Sequence, residues 1–417
     1  MKLRTLVIAA LLAGLGCFQS LPSHAQNQKE LRIGVIVATT GFAAQVGKDM
    51  VDGLNMYLQE VNSDFAGTKV KAIIEDTGGR PDTAVAKARK LILSDKVHLL
   101  VGGVLATEGT ALAPVSTSEK IVYIASVPAA DDLTQRDAAK YPFMVRTGWS
   151  SSQPHHALGQ YACDLGYKKV AAIGYDFAFG HEAVGGFQKV FEDCGGKVIQ
   201  KLWPQFGARD FGPFLPALKA DADALFALIS GASVMQFPKQ VRQSGWKKPI
   251  IGGGTNYDEF ALPAMGDEVI GDISALHYSA ALETPRNEAF VRQARKLYGK
   301  QPSYFIETMY TSAELIHQVL KNTGGEWPGA EAFVAQISAL KIEAVRGPLS
   351  FDEFRNPVQN VYIKKVEKRR MFGHDKDELW NTVVKTYPNV SQFWTYDKNQ
   401  FLKQPVYSRE YPPCKNC

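Results

Sequence analysis

The chain has 417 residues, of which 45% are hydrophobic and 21% are charged. This composition is that of a globular protein and excludes a disordered chain. The length exceeds one ordinary core, so we expect at least two domains. The formal charge of +5 comes from Lys and Arg residues scattered along the sequence, which argues against a nucleic-acid partner. A basic cluster at residues 364–370 is the exception, and we interpret it as a solvated hairpin.

Residues 1–25 have the pattern of a signal peptide. Lys2 and Arg4 form a basic start, residues 6–15 are apolar, and a small-x-small site ends at Ala25. We predict cleavage after Ala25 and export of the mature protein. A lipid-modified start at Cys17 is the alternative, and the glycine at position 14 disfavours it because lipoprotein signals prefer a large aliphatic residue there. No other run of about 18 apolar residues exists, so we expect a soluble mature protein.

Four cysteines remain after such cleavage, an even number that suggests disulfides in an exported protein. Among the three possible connectivities we favour Cys163–Cys194 and Cys414–Cys417. A redox role for the terminal C-x-x-C is disfavoured because that motif should open a helix rather than finish a chain. Two cysteines are also too few ligands for zinc, and we predict no cofactor.

The first structural unit spans residues 31–76. Residues 33–38 form a short, β-branched apolar run typical of a buried strand, and the apolar residues between 50 and 61 recur at helical spacing. Residues 70–74 read as the next strand, which completes a right-handed βαβ unit. Small ligands in such sheets bind beyond the carboxyl ends of the strands, where residues 39–45 would lie.

The alternation of helix and strand continues along the chain. Up to residue 146 we predict helices at 81–93 and 108–118, strands at 99–102 and 121–125, and an extended segment at 142–146. A second series has helices at 153–165, 181–194 and 234–244, an amphipathic segment at 211–219, and strands at 169–174, 198–202, 224–229, 249–252 and 273–278. Helices at 286–297, 305–321 and 328–340 follow, then strands at 361–366 and 382–386.

The two series repeat the same order of strand, loop, helix and strand, which predicts two similar α/β lobes. We assign residues 29–147 plus 279–347 to lobe 1, residues 148–278 plus 348–390 to lobe 2, and residues 391–417 to a tail. The chain would then cross between the lobes three times, and such crossings form a hinge that permits ligand-driven closure.

Catalytic signatures are absent from the sequence. There is no G-x-S-x-G, no Walker A loop and no H-E-x-x-H, so we predict a protein that is not an enzyme. His155 and His156 are adjacent and would not face one another on a helix. We interpret them as a pair that is either solvated or placed behind the ligand-contacting residues. An exported α/β enzyme using Asp176 or His181 is one alternative, and a sensory module that signals to a receptor is another.

The loops at predicted strand ends carry hydroxyls and aromatic rings. These groups would form an apolar cleft with a few orienting donors. Thr107 and the amides beside it stand before a predicted helix, where they could be an N-cap or a seat for an anion.

Several stretches resemble the type I periplasmic solute-binding proteins of the branched-chain amino acid group, which serve ABC importers. They include LRIGVIVATTG, HLLVGGVLATEGTALAPVSTSEKIVYIASVPA, VAAIGYDFAFG and QPSYFIETMYTSAELIHQVLK. The resemblance implies two Rossmann-like lobes, a three-segment hinge, a ligand between the lobes and an inner-membrane permease as partner. Together with the strand-end loops it predicts ligand contacts at Thr40, Phe42, Gln45, Ala106, Thr107, Ser126, Pro128, Phe177, Phe179, Ser230, Gly254, Thr255, and Tyr304 or Phe305.

One departure from the family pattern concerns the ligand. Members that bind an α-amino group usually carry an acid near Gly254, where this chain reads GGGTN, and an unpaired buried ammonium is costly. Phe179 stands where the family often has Tyr, and the long tail resembles a subgroup associated with aromatic acids. We therefore expect a monomer that closes on an aromatic or hydrophobic carboxylate, with Arg146 or His181 as counter-charge; branched-chain or related amino acids or amides are the alternative.

Overall fold

A computed structural model describes residues 29–417 of the chain. The predictions made for residues 1–25, including cleavage after Ala25 and the alternative at Cys17, lie outside the described residues. Within residues 29–417, no helix is both long and apolar enough to cross a bilayer.

The first lobe is built on a sheet of six strands: β1 (Glu30–Val37), β2 (Asp64–Phe65), β3 (Thr68–Asp76), β4 (Leu99–Gly102), β5 (Val122–Ala125) and β6 (Met144–Arg146). Their order is β2-β3-β1-β4-β5-β6, and only the β2–β3 pair is antiparallel. β4 and β5 are buried along their whole length, as expected of parallel strands covered on both faces. The intervening helices are α1 (Ala44–Glu60), α2 (Pro81–Leu93) and α3 (Ala106–Ser118).

The second lobe holds a nine-stranded sheet. Its strands are β7 (Lys169–Gly174), β8 (Lys197–Leu202), β9 (Ala224–Leu228), β10 (Ile250–Gly253), β11 (Ile273–Leu276), β12 (Ile342–Ala344), β13 (Gly347–Phe351), β14 (Pro357–Arg369) and β15 (Glu378–Val390). β7 to β11 are parallel, and β12 to β15 extend the sheet as antiparallel strands beyond β11. The remaining helices are α4 (Gln153–Asp164), α5 (Ala178–Asp193), α6 (Phe237–Gln243), α7 (Pro285–Tyr298), α8 (Tyr304–Asn322), α9 (Ala330–Ala339) and α10 (Lys398–Leu402).

Helix α8 returns to the first lobe and packs along α1. Gly53 of α1 permits this close approach, because a Cβ there would stand 2.1 Å from the Ile306 carbonyl oxygen. The buried face of α1 includes Met50, Leu54 and Tyr57, which recur at the helical spacing seen in the sequence. The two-lobe α/β fold predicted from the sequence is confirmed.

The chain passes between the sheets three times: between β6 and α4, between β11 and α7, and between α9 and β12. β12 and the first residue of β13 lie in the second sheet, within the 279–347 segment that the sequence assigned to lobe 1. The lobe boundaries themselves stay a prediction.

Both predicted disulfide pairings are present. Cys163 at the end of α4 is bonded to Cys194 just after α5, with Cα atoms 6.5 Å apart, and Cys414 is bonded to Cys417. The tail contacts the first lobe where Arg136 Nη1 donates to the Leu402 and Gln404 carbonyls at 2.8 Å each, and its end lies against the second lobe. Lys201 Nζ donates to the Pro412 carbonyl at 2.5 Å, and Gln188 Nε2 donates to the Pro413 carbonyl at 3.0 Å.

The amphipathic segment at residues 211–219 contains a short 3-10 turn (Leu215–Ala217), because prolines at 213 and 216 interrupt an α-helix. Two predictions about local structure are wrong in part. The basic cluster does lie on the β14–β15 hairpin, but Lys364 faces inward and is fully buried. His155 and His156 are fully buried, because α4 packs between α5 and the second sheet. The solvated alternative for this pair is therefore wrong, and a place behind the ligand-contacting residues stays a prediction.

Candidate functional site

A cavity of about 580 Å³, including its open mouth, lies between the two lobes at the carboxyl ends of the parallel strands. Its walls are aromatic and aliphatic, and among residues 29–417 no charged side chain lines it. The first lobe contributes the ends of β1, β4 and β5 and the start of α8, and the second lobe contributes the loops after β7, β9 and β10.

Eight of the predicted ligand contacts line this cavity: Phe42, Ala106, Phe177, Phe179, Ser230, Thr255, Tyr304 and Phe305. They come from five separate strand-end loops and the N-terminus of α8, and the fold brings them together. The other eight lie outside the lining: Thr40, Gln45, Thr107, Ser126, Pro128, Arg146, His181 and Gly254. Their roles as ligand contacts stay predictions.

The start of α3 differs from the expectation for Thr107. The helix begins at Ala106 with Leu105 as its N-cap residue, so Thr107 lies inside the first turn and its side chain is exposed. Glu108 caps the helix instead, because its carboxylate Oε2 accepts the amides of Val104 and Leu105 at 2.9 Å each. The prediction that Thr107 is the N-cap is therefore wrong. A glutamate at the third helical position, here Glu108, is a known sequence signal for the start of a helix.

The two predicted counter-charges are engaged elsewhere. Arg146 is fully buried, and its Nη1 donates to the carbonyls of Pro128 and Trp149 at 2.9 Å each. Burial lowers the pKa of Arg146 to about 10, against the opposing effect of Asp131. His181 Nε2 lies 2.8 Å from Asp176 Oδ1 in a hydrogen bond.

The other residues outside the lining have structural partners. Thr40 Oγ1 donates to Asp76 Oδ2 at 2.6 Å, and Gln45 Nε2 donates to Asp49 Oδ1 at 2.8 Å. Ser126 Oγ is hydrogen-bonded to Ser312 Oγ at 3.1 Å. The Pro128 ring packs on Gly103 and Gly109, and Gly254 packs on the Leu276 side chain.

The polar groups on the cavity wall are few and uncharged. Thr255 Oγ1 donates to the Ile229 carbonyl at 2.9 Å, and Ser230 lies beside it at the end of β9. Burial, then the nearby Asp258, raises the pKa of Tyr304 well above its usual value, so its hydroxyl stays protonated. Trp149 Nε1 has no hydrogen-bond partner within the described part of the chain.

Sequence reasoning missed several wall residues. Trp149 is the largest; it lies in the first crossing segment and packs edge-on against Phe179, with ring centroids 5.5 Å apart. Phe260 and Gly231 line the cavity as well. Trp149 could have been predicted to line the cavity, because it is a large aromatic residue in a segment that crosses between the lobes. Nothing in the sequence around Phe260 indicates that it lines the cavity.

The acids that follow the GGGTN stretch do not line the cavity. Asp258 Oδ2 accepts the Tyr304 amide at 3.2 Å, and Glu259 Oε1 accepts the Ala280 amide at 3.1 Å. Burial, then the adjacent Glu259, raises the pKa of Asp258 well above its usual value. Asp258 therefore lies directly behind Tyr304 of the cavity wall, and neither acid lines the cavity itself.

Comparison with known proteins agrees with this geometry. A profile described as periplasmic binding protein matches residues 30–370. The chain belongs to the periplasmic binding protein family. Membership implies a transport component that is exported to the periplasm, that binds small molecules and that works with membrane permeases.

Relatives within the family are similar over most of the chain. Leu/Ile/Val-binding protein homolog 6 of Brucella melitensis is 26% identical over 385 residues, which cover 90% of this chain and 96% of that protein. A solute-binding protein of an ABC transporter from Rhodopseudomonas palustris BisB5, solved with 3,4-dihydroxybenzoic acid, is 31% identical with a TM-score of 0.81 and covers 87% of this chain and 98% of that one. Another from R. palustris, solved with 4-hydroxybenzoate, is 27% identical with a TM-score of 0.80, over 87% and 98% of the two chains.

The hinge of this periplasmic binding protein is polar. Arg346, beside the third crossing, is fully buried, and its Nε donates to Glu307 Oε1 of α8 at 2.8 Å. Its Nη1 donates at 3.0 Å to the carbonyl of Thr147 in the first crossing. His277, in the second crossing, is hydrogen-bonded through Nε2 to Thr308 Oγ1 at 3.1 Å. All three crossings therefore meet around one buried ion pair.

Proposed function

We propose that this protein is the solute-binding component of an ABC importer and that it closes on an aromatic carboxylate. The observation that carries the proposal is the cavity wall, where aromatic rings from both lobes line one space and no charged side chain of residues 29–417 enters. A planar aromatic ring buries its apolar faces well in such a space. The solved relatives with 3,4-dihydroxybenzoic acid and 4-hydroxybenzoate support the same ligand class.

A free amino acid fits this wall less well. Its ammonium group would need a buried acceptor of opposite charge, and an unpaired ammonium is expensive to bury. Asp258 and Glu259 are already engaged with the backbone outside the lining. Branched-chain amino acids or related amino acids and amides remain the second candidate, supported by the Leu/Ile/Val-binding protein homologues.

The ligand carboxylate is assigned to the first-lobe wall at the start of α3. The first-turn amides at Ala106 and Thr107 have no preceding helical turn to donate to, and the positive end of the helix dipole favours an anion. Thr40, Gln45, Thr107, Ser126, Pro128, Arg146, His181 and Gly254 lie outside the lining of the cavity, and the proposal keeps them as candidate ligand contacts. Thr255 and Ser230 face the ligand from the second lobe.

Transport follows from closure of the lobes. The ligand stabilises the closed form because only that form supplies both halves of the wall, so binding shifts the population rather than deforming one state. The closed protein, a monomer released from its signal peptide after Ala25, then presents its ligand to the inner-membrane permease.

Isothermal titration calorimetry of the purified protein tests the ligand class. We expect heat of binding with 4-hydroxybenzoate and benzoate and none with leucine or isoleucine. Benzyl alcohol is the matched ligand without the carboxylate, and we expect it to bind at least tenfold more weakly. Heat with the amino acids and none with the aromatic acids would transfer the assignment to the second candidate.

Recovery of the ligand tests the enzymatic alternative. Asp176 and His181 form a hydrogen-bonded pair, and Arg409 Nη1 of the tail also lies 2.5 Å from Asp176 Oδ2, outside the cavity lining. We expect 4-hydroxybenzoate to be recovered unchanged by mass spectrometry after prolonged incubation. A sensory role would instead be indicated by co-purification of a kinase rather than a permease.

A further inference from the structure

Phe42 lies between two spaces, because it lines both the cavity and a neighbouring surface groove. It lies in the first lobe between β1 and α1, and its inner side lines the cavity. Its outer side borders a shallow surface groove that also includes Gln45, Ala232 and Met235. The ring therefore forms part of the cavity's closing wall.

The second lobe receives this ring at two points. Phe206 packs edge-on against Phe42, with ring centroids 5.2 Å apart, and also contacts Phe177 at 4.6 Å. Gly231, just after β9, lies directly against the ring. These contacts join opposite lobes, so they exist only while the lobes are closed.

Gly231 leaves no room for a side chain in this closed arrangement. A Cβ atom there would stand 2.2 Å from Phe42 Cε1, 2.5 Å from Cζ and 3.0 Å from Cδ1. Atoms of an aromatic ring are not the mobile end of a flexible chain, so a methyl group could be accommodated only by moving the ring or the lobe. The backbone of Gly231 also has a φ of +64°, a conformation that glycine adopts readily.

The ring cannot retreat easily, because its loop is anchored. Asp76 at the end of β3 accepts hydrogen bonds from the Thr39 amide at 2.8 Å and from Thr40 Oγ1 at 2.6 Å. Burial acts to raise the pKa of Asp76, but the hydrogen bonds from Thr40, Gly78 and Thr39 outweigh it and lower the pKa to about 2. The carboxylate is thus ionised at neutral pH and holds the loop in place.

We propose that Gly231 is a positioning residue for ligand retention. We call it the seat of Phe42, meaning the point of the second lobe against which the Phe42 ring packs when the lobes close on the cavity. It acts through Phe42, because the absence of a side chain lets the second lobe reach the ring and seal the space behind it. The inference rests on the proposed function, in that sealing matters only if a ligand is held between the lobes.

The test is the Gly231→Ala variant of the full-length mature protein, with 4-hydroxybenzoate as probe. We expect at least tenfold faster dissociation in stopped-flow measurements, because the cavity no longer seals. We also expect a larger radius of gyration than the wild type in small-angle X-ray scattering at saturating probe. Gly245→Ala is the matched control: its φ is +91°, and a Cβ there meets nothing within 4 Å in the described structure. We expect the control to dissociate and close as the wild type does.

A double variant separates the seat from mere backbone strain. In Phe42→Ala/Gly231→Ala the ring that would overlap the new methyl group is gone. We therefore expect the radius of gyration at saturating probe to return to the wild-type value. The affinity that is lost with the Phe42 ring should not return. An open double variant, a Gly231→Ala protein that dissociates as slowly as the wild type, or an equal defect in Gly245→Ala would each overturn the proposal.

Failure of the proposed function gives a different result. If the wild type binds leucine and not 4-hydroxybenzoate, the ligand class is wrong, and the same variants are compared with leucine as probe. If the wild type binds none of benzoate, 4-hydroxybenzoate and leucine, the proposed binding function is wrong. The role proposed for Gly231 is then wrong as well, because it depends on that function.

Discussion

The cleft and the hinge connect the same two lobes by opposite chemistry. At the cleft, rings such as Phe42, Phe179 and Phe305 meet across the gap, and no charged group of the described residues lines the space. At the hinge, Arg346 and Glu307 form a fully buried ion pair that contacts the crossing segments. Apolar surfaces can separate and close again without leaving an unpaired charge. A buried ion pair is costly to break, so we expect the Arg346–Glu307 contact to persist when the lobes move relative to one another.

The largest expected effect comes from breaking the hinge. Arg346→Met leaves Glu307 buried without its partner, and we expect the free energy of unfolding to fall by about 3–5 kcal/mol. Urea denaturation monitored by circular dichroism measures this loss.

Arg346→Met/Glu307→Leu serves as the control for the hinge. Replacing both charges with apolar groups of similar size removes the unpaired carboxylate, so most of the lost stability should return. If the double variant is as unstable as the sum of the single variants, the ion pair is not what organises the hinge.

His155 lies where hinge and cleft meet, between the Ser151 carbonyl, 2.5 Å from its Nδ1, and the Trp149 ring of the cavity wall. Burial lowers its pKa to about 4 from an ordinary 6.5. A depressed histidine pKa contributes stability above pH 6.5 that is lost as the pH falls toward 4, because the unfolded chain binds the proton first.

We therefore expect the stability lost between pH 7 and pH 5 to be smaller by about 2 kcal/mol in His155→Gln than in the wild type. Urea denaturation at both pH values measures it. His374→Gln, on the β14–β15 hairpin, is the control and should keep the wild-type pH dependence. If the free energy of unfolding of His155→Gln depends on pH as it does in the wild type, the His155 ring is not the group responsible for the loss of stability.

Changes in the cleft should reduce affinity more than stability. Phe177 is only half-buried, and its ring lines the cavity. We expect Phe177→Ala to weaken 4-hydroxybenzoate binding roughly tenfold, the equivalent of about 1.4 kcal/mol of lost apolar contact. Calorimetry measures the affinity. Phe372→Ala, at the hairpin tip, is the aromatic control, and an equal loss there would contradict a specific role for the cleft ring.

The smallest effect is expected for an ion pair outside both regions. Arg370 Nε lies 2.8 Å from Asp377 Oδ1, and both side chains are more than half exposed. Because solvent screens such pairs, Arg370→Ala should change the free energy of unfolding by less than about 1 kcal/mol. A loss comparable with that of Arg346→Met would remove the distinction between the buried hinge pair and the surface pairs.

The fold followed from local patterns in the sequence. Short β-branched runs and helical spacing, such as that of Met50, Leu54 and Tyr57, are set by neighbouring residues, so the α/β alternation and both disulfides could be predicted. The inward direction of Lys364 could not, because it depends on how β11 and β14 pair across nearly a hundred residues.

Site residues could be predicted where their position follows from the end of a strand. They could not be predicted where it depends on hydrogen bonds to residues elsewhere in the chain. Phe179 and Thr255 come directly after strands and line the cavity as the topology requires. Arg146 looks like a free counter-charge in the sequence, yet its guanidinium donates to the carbonyls of Pro128 and Ala130 in the loop after β5. Glu108 rather than Thr107 caps α3. Which of these two neighbouring polar residues forms the cap depends on the residue at which the helix begins, and the sequence alone does not fix that residue.

The attachment of the tail has a practical consequence for measuring closure. Because Pro412 and Pro413 are hydrogen-bonded to β8 and α5, a fluorescent protein fused after Cys417 would travel with the second lobe. A dye placed by Leu93→Cys, at a position 57% exposed on α2, would travel with the first. Energy transfer between the two would turn each closing event into an optical signal, and the protein into a sensor of its own ligand.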